Sequence, residues 1–484
     1  MHRTPNHSEA HPGNDGPRRW LLPVLLVAQL MVILDITAVN IALPHIAADL
    51  QLRGSSISWT ITSYSLIFGS LLLFGGRAAD LLGRRRMFLT GLGVFTASSL
   101  ASATAGSAAA LFGARAGQGL GAALLSPAAL SIITAAFHGP QRTKALAAWG
   151  AVGGAGAAIG VLVGGVLTEF TDWRTIFYVN LPVAAALVAA ALKVVPADTA
   201  KPRWRGLDLA GTGLATTSLA AIVYGIVQAD SAGWTSIQTH VCGIGGLAGL
   251  AAFAIYERHV DAPLLRVDRI ADRAVGGGLV LMLATAGSIF GLFLLCSLYL
   301  QNVLGMGPLA TGLAFVPLAL SAGIGAHGAG HLVARHGVRG PLAGAFAVAA
   351  VGMFLLARVG EHGSYLTDVL PGMLISGVAL GVATVSVSMA ILTGTRHDES
   401  GMISGLNSTG HEIGGTLGIA VFSTIAAGAS GAMLGPHAAS GIGDAFEVAA
   451  VVATLASLVA MAVLPRARQF LPKLRLSPNA MPVH

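Results

Sequence analysis

The chain has 484 residues, 54% hydrophobic and 10% charged, with a mean hydropathy of +0.74 and a formal net charge of +7. A soluble domain carries about 25% charged residues, so a water-soluble globule of this length is excluded and the apolar surplus must face lipid. Two cysteines, Cys242 and Cys296, lie inside apolar runs and offer neither a disulfide framework nor metal-ligand spacing. The basic residues fall in short clusters between apolar runs, which fits membrane topology better than nucleic-acid binding.

Residues 1–19 are polar and rich in His, Pro and Gly, and read as a disordered cytoplasmic tail. The apolar run that follows is too long for a cleavable signal. A bilayer-spanning helix needs about 20 apolar residues. Runs of that kind occupy 20–43, 57–79, 87–107, 109–136, 145–167, 175–195, 207–228 and 238–256, then 275–300, 310–333, 341–358, 368–393, 402–427 and 445–464. Fourteen spanning helices are therefore expected. With the N-terminus in the cytoplasm, 24 of the 28 Lys and Arg residues fall in cytoplasmic segments. Arg53, Arg174 and Arg358 fall outside, and Arg115 falls within a span. Such a bias fixes the orientation, with both termini cytoplasmic.

A short repeat points to paired halves. Gly76 to Arg85 follows the second run and Gly330 to Arg339 follows the tenth, with Gly and Arg recurring in register. Paired halves are how many transporters frame a site at mid-membrane.

Charges inside spans cost roughly 2.5–3.5 kcal/mol at the bilayer centre. Asp35, Arg115 and Glu412 are the ones well inside these runs. Asp35 lies roughly 22 Å along a helix starting at Trp20, at a depth similar to Arg115. The two are expected to pair, either as a proton-dependent couple or as a structural ion pair that orients helices. Glu412 lies near mid-depth with His411 beside it, about 100° away around the helix. It suits proton exchange or attraction of a cation; a Glu that hydrogen-bonds across helices is the other reading. Asn40, Trp59, Tyr64, Gln118, Asn302 and Asn407 are candidate cavity residues, and each also suits packing. His327 and His331, four apart, lack a third ligand nearby, so no metal is expected. Cofactors are expected to be none: there is no phosphate-binding Gly-rich loop and no Ser-His-Asp spacing in a polar domain.

Several segments resemble the major facilitator superfamily, specifically its fourteen-helix drug:proton antiporter branch. Leu34-Asp35-Ile36-Thr37-Ala38-Val39-Asn40-Ile41-Ala42-Leu43-Pro44 matches the branch's first-helix signature. Gly76 to Arg85 resembles the superfamily's cytoplasmic loop motif, and Leu111 to Ala123, with Arg115, Gln118 and Gly119, its fourth-helix motif. Gly156, Gly160, Gly164 and Gly165 resemble the fifth-helix antiporter motif, and Trp173 to Pro182 a typical entry to the sixth helix. Val161 replaces the usual Pro after the second Gly of the antiporter motif. Leu81 replaces the usual basic residue of the loop motif, and Ala334 stands where its second copy carries Asp.

The resemblance implies an all-α polytopic fold of two six-helix bundles plus two extra linking helices. The division is 20–195 for the first bundle, 196–270 for the linker, 271–464 for the second bundle and 465–484 for a cytoplasmic tail. It implies proton coupling through Asp35 and Arg115, with Glu412 and His411 as further candidates. A conformational switch is expected at Gly76, Asp80, Gly83, Arg84 and Arg85, where Asp80 accepts from backbone N–H groups at a neighbouring helix start. Arg84 to Arg86 equally serve topology and lipid headgroups. The four fifth-helix glycines are expected to form a smooth seam between the bundles. The function so implied is proton-driven export of amphipathic small molecules, drugs or antibiotics, by a monomer in the cell membrane. Alternatives are a lipid or siderophore translocator on the same fold, or a non-transporting membrane sensor. An enzyme is not expected.

Overall fold

A computed structural model of the chain describes residues 15–137, 139–198, 202, 204, 207–260, 263–265, 267–270, 272–393, 400–430 and 438–476. Lys201, Arg203, Arg205, Arg266 and Arg396, used above in the charge count, lie outside the described residues, as do residues 1–14.

The described chain is helical throughout. The first seven helices are α1 (Asp15–Asp49), α2 (Trp59–Leu82), α3 (Arg84–Ala103), α4 (Ala108–Ala136), α5 (Gly139–Phe170), α6 (Thr175–Tyr178) and α7 (Asn180–Val194). Then come α8 (Leu209–Ala232), α9 (Ile237–Glu257) and the short α10 (Val267–Ile270). The last group is α11 (Arg273–Leu298), α12 (Pro308–Ala314), α13 (Val316–His336), α14 (Arg339–Leu356), α15 (Leu370–Leu392), α16 (Ser400–Ser430), α17 (Ala438–Val463) and α18 (Ala467–Leu476). Each of the fourteen apolar runs falls on helix. Eleven helices among the described residues are long and apolar enough to cross a membrane, so the chain is a multi-pass membrane protein. The runs on α3, α5 and α16 fall short of that measure. α3 opens on three arginines and carries several Ser and Thr, the apolar stretch described in α5 is Gly156–Phe170, and α16 is rich in Gly, Ser and Thr.

Two expected spans are interrupted. The run 175–195 breaks between α6 and α7, and the run 310–333 between α12 and α13. Pro182 and Pro317 follow the breaks within the first turn of the next helix, where a missing N–H costs little. α1 begins at Asp15, inside the segment read as a disordered tail, and within the expected C-terminal tail Ala467–Leu476 forms α18, whose Phe470 is buried in the core.

Helices α1 to α7 pack on one another, and so do α11 to α17; α8 and α9 form a hairpin of which α8 also packs on α2 and α16. That hairpin lies at the seam between the halves. The outward side of α9 leaves Ile237, Val241, Ile244 and Leu247 exposed, as a lipid-facing surface requires. Hydrogen bonds join the halves at the end that holds Asp49: Ser297 donates to the Asn40 carbonyl, Gln301 to the Ile41 carbonyl, and the Leu309 N–H to Glu169.

The repeat in the sequence has a structural counterpart. Gly83 ends α2 with φ +112° and Gly337 ends α13 with φ +71°, the left-handed region that favours Gly. α3 follows the first turn and α14 the second. A Cβ at Gly83 would collide with Asp198, just beyond α7, and one at Gly337 would come within 2.7 Å of Ala467, just beyond α17. Matching turns are thus covered by matching segments of the two halves.

Candidate functional site

The charged centre of the first half is assembled by five long helices around Asp35 of α1. Asp35 is 1% exposed, and Arg115 and Gln118 of α4 are 0% exposed. Nη1 of Arg115 forms an ion pair with Asp35 Oδ2. Asp35 Oδ1 accepts from Gln118 Nε2 and from Asn180 Nδ2 of α7, both at 2.9 Å. Those two amides also donate to Ser99 Oγ of α3, at 2.8 and 3.1 Å. Ser102 donates to Gln118 Oε1, which also accepts from Arg115. Arg115 Nε donates to the Thr60 carbonyl of α2. Its Cζ lies 4.5 Å from the ring centre of Tyr64 and 5.7 Å from that of Phe177, so the cation is covered by two aromatic faces.

A buried charge is tolerated only when paired and hydrogen-bonded. Here the carboxylate receives three side-chain donors, while Arg115 Nη2 and the Tyr64 hydroxyl remain without partners. A proton arriving on Asp35 would cancel the charge that holds Arg115 and turn an acceptor into a donor. The links from α1 to α4 and α7 would then have to rearrange. Asn180, Ser99, Ser102 and Thr60 were not singled out from sequence. Asn180 lies within the Trp173 to Pro182 motif, the one signal that pointed to it.

The second half supplies Glu412. Its Cβ side faces α2, where only Gly69 leaves room: a Cβ there would lie 2.8 Å from Glu412 Cβ. Glu412 is half-buried, with Oε2 unpartnered. His411 turns away and meets the Phe290 ring edge-on at 5.6 Å. Tyr64 lies within electrostatic reach of Asp35, Arg115 and Glu412 together.

The candidate cavity residues divide. Tyr64 and Gln118 are wholly buried in the Asp35 network. Trp59 packs against Tyr224 of α8 at 6.4 Å between ring centres. Asn40 is buried at the junction of the halves, donating to the Ile36 carbonyl. Asn302 donates to the Leu298 carbonyl and Asn407 to Ser388 Oγ, both half-buried.

The glycines also divide. Gly156, Gly160 and Gly164 bring α5 against Ile33, Leu34, Thr37 and Ala38 of α1, on either side of Asp35. Their seam is inside the first half, not between bundles. Gly165 alone of the four faces the second half, at Pro308 and Leu309. Val161 is buried beside Gly312 of α12. A Cβ at Gly76 would make only an ordinary contact, with Pro127 at 3.8 Å.

At the loop motif, Asp80 does not accept from a helix start. It is exposed and pairs with Arg84 at 3.7 Å, one turn along. Asp198 takes that role instead, accepting from the Arg85 and Arg86 N–H groups at 3.2 and 3.0 Å. Arg85 Nη2 returns a bond to the Leu192 carbonyl. An acid at the start of α3 satisfies otherwise unpaired donors and meets the positive end of the helix. His327 and His331 lie 6.1 Å apart between ring centres, and no group of three metal-binding side chains occurs among the described residues.

The chain is thus a many-helix membrane fold of two packed halves, with a buried network of charged and polar side chains in the first. Solved structures carry the same fold: a bacterial homologue of the human lysosomal transporter Spinster superposes with a TM-score of 0.67 at 16% identity, over 95% of this chain and 99% of that one. The family model described as Major Facilitator Superfamily matches residues 25–419, and the chain belongs to that family. The puromycin resistance protein pur8 of Streptomyces alboniger is 41% identical over 440 residues, covering 90% of this chain and 87% of its own. The cephamycin export protein CmcT of Amycolatopsis lactamdurans is 37% identical over 450 residues, covering 92% of each. The chain is a transporter of small molecules, not an enzyme, and its relatives include drug and antibiotic exporters.

Proposed function

We propose that the chain is a proton-coupled exporter of amphipathic antibiotics, working as a monomer by alternating access. In this reading it has fourteen spans with both termini cytoplasmic, and α8 and α9 link two six-helix bundles. The observation that carries the proton coupling is the buried carboxylate of Asp35, held at once by Arg115, Gln118 and Asn180. One proton there changes each of the links from Asp35 to α4 and α7. The hydrogen bonds between halves at the Asp49 end, which is the outer end in this orientation, support a state closed to the outside. The substrate class rests on the two relatives' names, one for puromycin resistance and one for cephamycin export. Nothing in these relatives favours a lipid or siderophore cargo or a sensor.

Glu412 is the second proton or cation site in this scheme. It faces α2 across the seam, and in this reading its carboxylate meets a cationic substrate when the halves part. The test is transport into inside-out vesicles under an imposed pH gradient. Accumulation that follows the gradient and is lost in Asp35→Asn supports the reading; accumulation indifferent to both rules it out.

A further inference from the structure

A second buried acid centre, which shares no hydrogen-bond partner with Asp35 among the described residues, lies where the linking hairpin closes. Asp208 caps the start of α8, and its Oδ1 accepts from the Gly211 N–H at 2.8 Å and from the Tyr256 hydroxyl at 3.2 Å. Glu257 ends α9, and its Oε2 accepts from the Leu265 N–H at 3.1 Å. The two side chains belong to residues only 7% and 3% exposed. Each keeps one oxygen without a partner, Asp208 Oδ2 and Glu257 Oε1. Both unpartnered oxygens point at the same place: a Cβ on Gly211 would collide with the first and lie 2.7 Å from the second. Asp208 is the one charged side chain acting on Glu257 among the described residues. Among the described residues the loop brings the backbone N–H groups of Leu264 and Leu265, and Tyr256 brings its hydroxyl to Asp208. Arg258 and His259, next in the chain, are exposed.

Two carboxylates in so buried a pocket are disfavoured when both are ionised, because each keeps an oxygen without a donor and each charge repels the other. A single proton between the free oxygens removes one charge and supplies the missing hydrogen bond. We infer that Asp208 and Glu257 form a proton-binding site, separate from Asp35, that clasps the two linking helices to the 264–265 segment leading toward α11. With the proton in place, Glu257 holds both that segment and α8. Without it, two anions push apart, and the lead-in to the second half loses its anchor. In the proposed orientation this clasp faces the cytoplasm, but its existence depends only on the contacts above and not on transport.

The sign follows from the shared proton. The folded pair binds a proton that the two separated acids of an unfolded chain release in mildly acidic solution. The stability it gives is therefore present at low pH and lost as pH rises past the point where the pair gives up its proton. The experiment is the melting temperature of the purified full chain in detergent from pH 5.5 to pH 9, for wild type, Asp208→Asn and Glu257→Gln. Asn at 208 keeps an acceptor for the Gly211 N–H and carries its own donor toward Glu257, and Gln at 257 does the converse. We expect wild type to fall by about 2 °C or more across this range, and the fall to be smaller in both variants. Equal slopes in all three proteins, or a flat wild-type profile, overturn the proposal. If neither variant folds, the wild-type profile still decides against it when flat, and exchange of the Leu265 amide must accelerate above its intrinsic base dependence as pH rises. A wild-type melting temperature at pH 8.5 that rises with added K+ or Na+, at constant ionic strength set by choline, and does not rise in Asp208→Asn, overturns the proton in favour of a metal cation.

Discussion

Arg115 rests on Tyr64: its Cζ lies 4.5 Å from the ring centre, while Nη1 of the same guanidinium holds Asp35. The ring is the floor of a buried cation, and the hydroxyl at its far end has no hydrogen-bond partner. Tyr64→Phe keeps the floor and removes an unsatisfied buried hydroxyl, so its stability should match or exceed wild type. Tyr64→Ala uncovers the cation and empties a ring-sized space, which should cost about 3–5 kcal/mol. Denaturation of the purified variants measures both. A Phe variant as unstable as the Ala variant would show that the hydroxyl has a role these contacts do not capture.

Asp35→Asn leaves Arg115 buried without its counter-ion, a loss of about 3–5 kcal/mol for a broken buried pair. Efflux should vanish together with stability. Adding Arg115→Gln removes the stranded cation, so the double variant should recover much of the stability and none of the efflux. Recovery of efflux in the double variant would make the pair a structural strut and nothing more.

Gly160 tests the seam within the first half. A methyl group there meets Thr37 Oγ1 and comes within 3.1 Å of Leu34 Cα, on both flanks of Asp35. Gly160→Ala should therefore cost about 1–3 kcal/mol by overpacking. Gly93→Ala on α3, with nothing within 4 Å, should be neutral or slightly stabilising. Equal effects of the two would contradict the close α1–α5 contact.

These contrasts show what the residues alone reveal. Asp35, Arg115 and Glu412 stand out because ionisable groups are rare and costly inside apolar runs. Asn180, Ser99, Ser102 and Thr60 do not, since neutral polar residues occur throughout such helices; only packing brings Asn180 to the carboxylate, Ser99 and Ser102 to the amides around it, and the Thr60 carbonyl to Arg115. The glycine spacing gave a close helix contact but not its partner, because a small face fits any neighbour; the fold chose α1 for Gly156, Gly160 and Gly164. Asp198 lay in a polar stretch after α7, where an acid is unremarkable until α3 is seen to start against it. Pro182 and Pro317 were legible as residues, but the interruption they accompany was not, as Pro also begins unbroken helices.

Asp198 gives a separate prediction at the loop motif. Asp198→Ala removes the acceptor for the Arg85 and Arg86 N–H groups, worth about 0.5–2 kcal/mol as a lost cap. Amide exchange at 85–86 should accelerate. Asp80→Ala removes only an exposed pair, worth about 0–1 kcal/mol, and should leave those amides protected. The opposite ranking would return the capping role to Asp80.

Glu412→Gln separates charge from structure. A cationic substrate should lose affinity, because the variant offers no negative charge where screening is poor, and a neutral substrate should bind nearly as before. Binding isotherms for one of each decide it; equal weakening of both would reduce Glu412 to a packing residue.

Most direct for the account as a whole is the uptake of puromycin, a drug named for one relative, into inside-out vesicles with an acidic interior. Wild-type vesicles should accumulate the drug, lose it when the gradient is collapsed, and show no accumulation with Asp35→Asn at matched protein levels. If the drug is not taken up, the same protocol with a panel of amphipathic antibiotics must yield at least one that is. Accumulation that survives both collapse of the gradient and loss of the Asp35 carboxylate would contradict proton-coupled export through this site.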